Sequence, residues 1–290
     1  MNKLLSNVLV LYKKSAYSIY FKEREIRSCG HTQKDMSRWM NRFKKAHDEH
    51  YATLHTVERV LGRYGIPYTK QTRGQKTSYN RCSLIITVGG DGTFLEAARH
   101  IRQQIILGIN SSPSTSVGKL CVASHKDLER IILGIIQNSC RIEAWQRLRI
   151  EVKGRRSTEA LNDVLICHRN PAALSRYYLQ IKGTAEQQRS SGLWISTPAG
   201  SSGAIKSAGG KILKRTDKKI QYMPRELYYG ANPAYRLKGG VLEAGETIQV
   251  TSLMRNGMIF VDGAHHPLRF PFNATAKISL SPHPLRTIHQ

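Results

Sequence analysis

Residues 84–98 read Leu84-Ile85-Ile86-Thr87-Val88-Gly89-Gly90-Asp91-Gly92-Thr93-Phe94-Leu95-Glu96-Ala97-Ala98. The run Leu84 to Val88 is short and apolar, which suits a parallel strand buried on both faces. Three glycines follow within four residues, so the backbone can turn sharply and come close to a ligand. A helix from about Thr93 to Arg102 comes next, and free amides at a helix start favour phosphate. An acid inside a phosphate loop repels its ligand unless it has a second task. Asp91 has one if it binds a hydroxyl or holds Mg²⁺ beside the phosphates. In phosphoryl transfer an aspartate can position and deprotonate the attacking hydroxyl. The plain alternative is a helix cap. The chain has no GxxxxGK[ST] and no GxGxxG at a strand end. P-loop enzymes and the dehydrogenase fingerprint are therefore excluded.

Outward from this stretch the same rhythm continues. Ile105 to Ile109 is a second apolar strand, and Ser124 with Asp127 forms a capping-box pattern before the run Leu128 to Ile136. Upstream, Val8 to Tyr12 reads as a first buried strand. Met36, Met40, Phe43, His47, His50, Leu54, Val57 and Leu61 then recur at steps of three and four, one face of a long amphipathic helix. Its two histidines read as packing residues rather than metal ligands. Gly65 ends the helix and Pro67 guards its exit. Residues 69–81, basic and without an acid, read as a mobile surface loop. Strand–helix–strand alternation argues for an open, mostly parallel α/β sheet.

After about residue 140 the period changes to two. Leu148/Ile150/Val152, Leu179/Ile181, Leu193/Ile195, Ile248/Val250, Ile259/Val261 and Ile278/Leu280 alternate with other residues. That pattern suggests an antiparallel, β-rich second domain. The expected division is an N-terminal open α/β domain over 1–143 and a β-rich domain over 144–290.

Composition bounds the function. At 290 residues the chain makes one large domain or two modest ones, on a prior of about 150 residues each. Lys and Arg number 45 against 20 Asp and Glu, a formal charge of +25, yet 40% apolar residues supply a proper core and exclude a disordered chain. No apolar run reaches the roughly 18 residues a membrane helix needs. The start, MNKLLSNVLVLYKK, lacks a small-x-small cleavage site and reads as a strand rather than an export signal. Cys29, Cys82, Cys121, Cys140 and Cys167 contain no CxxC, which favours neither zinc nor a disulfide framework and points to reducing cytoplasm. The charge attracts anions of any kind, nucleic acid included. The segment 206–225 holds seven Lys or Arg against Asp217 and reads as a solvated loop or as a phosphate-facing rim.

Three further clusters carry polar chemistry. Asn162-Asp163 sits between Leu161 and Val164, and such a pair needs partners if buried; an Asn-Asp turn is the simpler reading. Ser190 to Ile195 is a strand that empties into Ser196-Thr197-Pro198-Ala199-Gly200-Ser201-Ser202-Gly203, continued by Ser207-Ala208-Gly209-Gly210. A loop of small hydroxyl residues and glycines can approach a flat ligand, or simply link two elements. Asp262, before Gly263, reads as a ligand contact or as a turn residue.

Taken in order, these blocks resemble the NAD kinase family. The resemblance rests on TVGGDGTFLEAA (Thr87 to Ala98), GIN (Gly108 to Asn110), LNDVLI (Leu161 to Ile166), SSGLWISTPAGSSGAIKSAGG (Ser190 to Gly210) and VDG (Val261 to Gly263). GGDGT alone is shared with lipid kinases and phosphofructokinases, whereas the Thr-Pro-x-Gly-Ser block followed by Ser-Ala-Gly-Gly is far more specific. The resemblance implies ATP-dependent phosphorylation of NAD at the 2′-hydroxyl of its adenosine ribose, with Mg²⁺ accompanying ATP. It implies Asp91 as acceptor of the hydroxyl proton. Gly89, Gly90, Gly92 and Thr93 would cradle the ATP phosphates, and Asn162 and Asp163 would contact the dinucleotide. Thr197, Ser201, Ser202 and Ser207 would line its pocket. It also implies a Rossmann-like α/β domain followed by a sandwich-like β-rich domain, and a homo-oligomer acting on small molecules; the lack of a long apolar run separately argues against a membrane partner.

Several positions depart from the usual pattern. Ala204 replaces a tyrosine, Ser191 an acid, Asp163 a glutamate and Ala264 a glutamine, and GINSSPSTSVGKL stands for GINxGxLGFL. With SSGL and Ser175-Arg176 to Ile181, the set looks like the branch of plant NADH kinases and animal mitochondrial NAD kinases. The resemblance implies NAD⁺ or NADH as the phosphate acceptor. The alternatives are a lipid kinase of the diacylglycerol or sphingosine type and a non-catalytic nucleotide-binding protein.

Overall fold

The computed structural model describes residues 3–22, 33–155, 157–230, 234–264 and 267–289, so Cys29 lies outside the described residues. The chain divides into two compact units, Met1–Glu143 with Arg286–Gln290, and Ala144–Leu285. In the first, β1 (Val8–Tyr12), α1 (Gln33–Arg63), β2 (Tyr68–Thr72), β3 (Leu84–Gly89), α2 (Asp91–His100), β4 (Ile105–Asn110), α3 (Leu128–Ile136) and β5 (Arg141–Trp145) follow one another. β1 pairs in parallel with β2 and with β3, and β3 with β4. Every residue of β3 and β4 is buried, as continuous apolar runs covered on both faces require.

Two expectations change here. Residues 69–81 begin not with a loop but with most of β2. This strand lies at the sheet edge with Tyr68, Thr69 and Lys70 exposed, so it never needed an apolar run. The stripe on α1 is core only in part. Leu54, Val57, Val60 and Leu61 pack against the sheet, and His50 is fully buried, while Met40 and Phe43 are exposed. A helix of 31 residues is about 46 Å long, more than twice a strand's ~17–20 Å, so its first half overhangs the sheet. There Phe43 packs on Phe21, ring centroids 5.7 Å apart. Gly65, at φ +61°, takes the left-handed conformation that closes the helix.

The second unit comprises β6 (Leu148–Val152), β7 (Thr158–Ala160), β8 (Asp163–His168), β9 (Ser175–Ile181), β10 (Thr184–Ser190), β11 (Gly192–Ser196), the single turn α4 (Ala204–Ser207), β12 (Ile220–Arg225), β13 (Gly240–Leu242), β14 (Ile248–Ser252), β15 (Gly257–Val261), β16 (Pro267–Arg269) and β17 (Thr275–Leu280). They form two six-stranded sheets, β10-β9-β14-β17-β6-β7 and β13-β12-β11-β8-β15-β16. The period-two residues of both share one core, with Leu148, Leu179, Val250 and Ile278 from one sheet and Val164, Ile166, Leu193 and Ile259 from the other. The architecture is thus an α/β unit and a β-rich sandwich.

The last strand departs from the expected 144–290 domain. β18 (Leu285–His289) pairs in parallel with β4 and lies between β4 and β5 in the first unit's sheet. Leu285, Thr287 and Ile288 are buried, a pattern that any sheet interior accepts. Among the described residues no helix is long and apolar enough to cross a membrane.

Candidate active site

The chain leaves β1 for β2 on one side and then places β3 on the other side of β1. The gap between β1 and β3 is a topological switch point, and ligands of open α/β sheets bind at the carboxyl ends of strands at such points. The residues that leave these strands there are Lys13 after β1, Gly90 to Thr93 after β3 and Ser111 to Ser116 after β4. Gly89 must be glycine, because a Cβ on it would lie 2.3 Å from the Thr93 hydroxyl oxygen. Thr93 is 1% exposed, and its hydroxyl has no hydrogen-bond partner among the described residues. A buried orphan of this kind is costly unless a ligand satisfies it.

Asp91 is the first residue of α2, with Gly90 at the cap position and no side-chain cap bond. Its carboxylate instead reaches the loop after β4, accepting the Leu120 N–H at 2.7 Å and the Lys119 N–H at 3.0 Å. That loop is braced from two sides. Asn110 donates to the Ser116 carbonyl at 2.9 Å and accepts the Ser112 N–H at 3.2 Å. From α1, Glu49 accepts the hydroxyls of Ser112 at 2.7 Å and Ser114 at 2.6 Å. Burial opposes the ionised form of Glu49, but the Ser114 and Ser112 bonds outweigh it and hold the carboxyl below its usual range. His50 Nδ1 lies 2.8 Å from the Ser111 hydroxyl, and burial together with the Lys13 charge lowers its pKa to about 4. The imidazole is neutral at pH 7 and acts as packing, as the sequence indicated. Burial and the Asp91 charge push the Cys121 thiol up to about 12, so it too is neutral.

The second unit assembles the other group of residues around β8, which runs between β11 and β15. Asp163 stands opposite Ser196, and Val164 opposite Val261. Asp262 has φ +49° and is 5% exposed. Its carboxylate accepts the N–H groups of Asn162 at 2.7 Å and Leu161 at 2.9 Å. The residue left open between turn and ligand contact is therefore the clamp that fixes 161–163. Asp163 is buried beside it, and burial with the Asp262 charge pushes its pKa up to about 7. The side-chain oxygen of Asn162 is buried without a partner among the described residues.

The hydroxyl loop splits into two groups. Thr197, fully buried, donates its N–H to the Asn162 carbonyl at 2.9 Å and its hydroxyl to the Leu161 carbonyl, and accepts the Gly200 N–H at 3.1 Å. Ser201 donates to the Pro198 carbonyl at 2.7 Å and accepts the Leu213 N–H at 2.9 Å. These two hydroxyls brace the loop from inside, whereas Ser202 is half-buried and Ser207 exposed. Gly200 packs directly on the Asn162 backbone, where a Cβ would fall 2.2 Å from the carbonyl oxygen. Ala204 is exposed at the start of α4. In the basic segment Lys211, Lys214 and Lys218 are exposed, and the Arg215 guanidinium lies 5.1 Å from the Trp145 ring centroid. Sequence reasoning missed Lys13 and Glu49; a lysine at the end of an apolar strand was the one local signal.

Comparison with known proteins matches both parts of the chain to one family. Residues 3–138 match the ATP-NAD kinase N-terminal domain and residues 161–290 the ATP-NAD kinase C-terminal domain. A probable NADH kinase of Oryza sativa subsp. japonica is 31% identical over 240 residues, 74% of each chain. An NAD kinase of Pseudomonas putida (strain W619) is 27% identical over 267 residues, 88% of this chain and 85% of the relative. Among solved structures, an NAD kinase from Archaeoglobus fulgidus in complex with ATP aligns with a TM-score of 0.69 at 21% identity, covering 97% of this chain and 92% of that one. Yeast NADH kinase complexed with NADH aligns at 0.71 and 16% identity, covering 98% and 83%. These two likenesses establish the fold. With both halves matched to NAD kinases, the lipid-kinase alternative is not favoured.

Proposed function

The chain belongs to the ATP-NAD kinase family, and on that premise we infer that it phosphorylates NAD(H) with ATP to give NADP(H). The observation that carries the reading is the intact Asp91, held by backbone amides in a glycine turn at the carboxyl edge of a parallel sheet. A ribose hydroxyl is a poor nucleophile at neutral pH, so the reaction needs placement, charge neutralisation and a proton acceptor. The ribose 2′-oxygen forms a bond to the γ-phosphorus, the bond from that phosphorus to the β–γ bridging oxygen breaks, and ADP departs. The hydroxyl proton passes to Asp91. Gly89, Gly90, Gly92 and Thr93 cradle the phosphates, and the orphaned Thr93 hydroxyl supports this role. Asn162 and Asp163 bind the dinucleotide, a role that the unpartnered Asn162 oxygen supports. Ser202 and Ser207 line its pocket, while Thr197 and Ser201 hold the loop in shape.

Mg²⁺ enters with ATP. No group of three or more His, Cys, Asp or Glu side chains able to hold a metal occurs among the described residues. The chain's share would be the Thr93 hydroxyl, with phosphate oxygens and water completing the shell, as suits this ion. When bound, it neutralises charge on the donor phosphates. A cytoplasmic location and a homo-oligomeric state belong to the same reading; Cys82, Cys121, Cys140 and Cys167 are free thiols, and light scattering in solution tests the assembly.

The deciding experiment is a product assay with ATP and Mg²⁺, offering NAD⁺ and NADH separately. Formation of NADP⁺ or NADPH is expected. A folded protein that makes neither, with either acceptor, would overturn the assignment.

A further inference from the structure

The carboxyl edge of the first unit's sheet carries two cations that the reading above does not use. Arg73 follows β2, and its N–H donates to the Tyr12 carbonyl at 2.7 Å, which fixes where the side chain begins. Its Nε donates to Glu96 Oε2 at 2.7 Å, and the other oxygen of Glu96 accepts the Gly74 N–H at 2.8 Å. Glu96 lies one helical turn beyond Gly92 on α2, on the same face. The clamp lays the guanidinium against the glycine turn, so that a Cβ on Gly92 would lie 3.0 Å from Arg73 Nη1. The Arg73 side chain is 31% exposed, open enough to meet a ligand. Lys13, whose N–H faces the Val88 carbonyl at 3.4 Å, enters from β1. Burial, and then the Arg73 charge, hold its ammonium below the usual lysine range, although the nearby Cys121 works the other way. The backbone sets Lys13 directly after Tyr12, which anchors Arg73, and against Val88, which precedes the glycine turn.

We propose that Arg73, oriented by Glu96, grips the terminal phosphates of the donor over Gly92, with Lys13 as a second cation on the same anion. The proposal rests on the kinase reading and deepens it. A planar guanidinium fixed at one edge presents donors in a rigid geometry that matches phosphate oxygens. It also gives Gly92 a reason specific to this chain, since any side chain there would crowd the guanidinium. Glu96 is a positioning residue; it acts through Arg73 and touches no phosphate.

Inorganic tripolyphosphate, which has neither base nor sugar, is the binding probe, read by calorimetry on the full chain. Steady-state kinetics with ATP and NAD⁺ give the second readout. Arg73→Ala is expected to weaken tripolyphosphate tenfold or more and to raise the KM for ATP by a similar factor, leaving the KM for NAD⁺ within twofold. Arg73→Lys recovers part of the loss, because it restores charge but not the fork. Glu96→Gln raises the KM for ATP with a smaller change in kcat, and Lys13→Met weakens tripolyphosphate at least threefold. If Arg73→Ala does not fold, Arg73→Gln replaces it. A folded Arg73 variant that keeps wild-type tripolyphosphate affinity and ATP KM overturns the proposal, as does a wild-type protein that binds no tripolyphosphate. The two readings fail separately. Arg73-dependent tripolyphosphate binding without NADP(H) formation removes the kinase and leaves the phosphate grip. Turnover indifferent to Arg73 removes the grip and leaves the kinase.

Discussion

Asp91 and Asp163 are carboxylates in opposite surroundings, and each makes a separate prediction. Asp91 is held by two amides. Asp91→Asn keeps the shape and one acceptor oxygen but turns the other position into a donor facing an N–H, at a cost of about 1–3 kcal/mol. The variant should fold, with kcat reduced roughly 10²–10⁴-fold by loss of the base; kcat beside a thermal melt checks this, and near-normal turnover rules the base role out. Asp163 is raised to about 7 by burial and by Asp262, against about 3.9 in an unfolded chain. The native state therefore keeps a proton that the unfolded state has lost. Stability from this group is full below about pH 4 and is lost as pH rises to about 7, a change on the order of a few kcal/mol. Asp163→Asn should flatten that decline; denaturant unfolding at pH 4.5 and pH 8 measures it, and an unchanged slope refutes it. Asp91 was legible because everything that singles it out lies within four residues. Arg73 was not, because its place depends on the pairing of β2 with β1 and on a carboxylate 23 residues away.

Elements explain the rest of the local geometry. The loop after β11 stays against Asn162 because Gly200 has no side chain, a Cβ there falling 2.2 Å from a backbone oxygen. Backbone cannot swing aside as a side-chain end can. Gly200→Ala is expected to cost more than about 3 kcal/mol, in the range of severe overpacking, seen as a large drop in melting temperature or as insoluble protein. A near-normal melting temperature would show that the loop moves freely. The glycines and hydroxyls of this loop were readable as a ligand loop, but the inward turn of Thr197 and Ser201 was not, since it depends on carbonyls of Leu161 and Pro198. Likewise α1 showed its period but not its overhang, because periodicity reports a face and not how much sheet lies beneath it.

For the molecule as a whole, the telling feature is β18, inserted between β4 and β5 after the chain has built the second unit. Deleting residues 286–290 removes a buried strand from the first unit's sheet, including Thr287 and Ile288 at 0% and 1% exposure. The truncated chain should lose cooperative unfolding of the first unit while the sandwich keeps its own transition. Calorimetry separates the two, and an unaltered first-unit transition would contradict the prediction. Alternation and apolar runs were enough to foresee an α/β unit followed by a β-rich one, and the glycine turn was enough to place a carboxylate at a strand end. Those features arise from steric and burial demands among neighbouring residues, which a linear reading captures. The return of the last strand, the Asp262 clamp under Asn162 and the guanidinium over Gly92 arise between residues distant along the chain. Packing alone selects such contacts, because many other segments of this chain offer the same chemistry locally and only the folded arrangement brings one of them within reach.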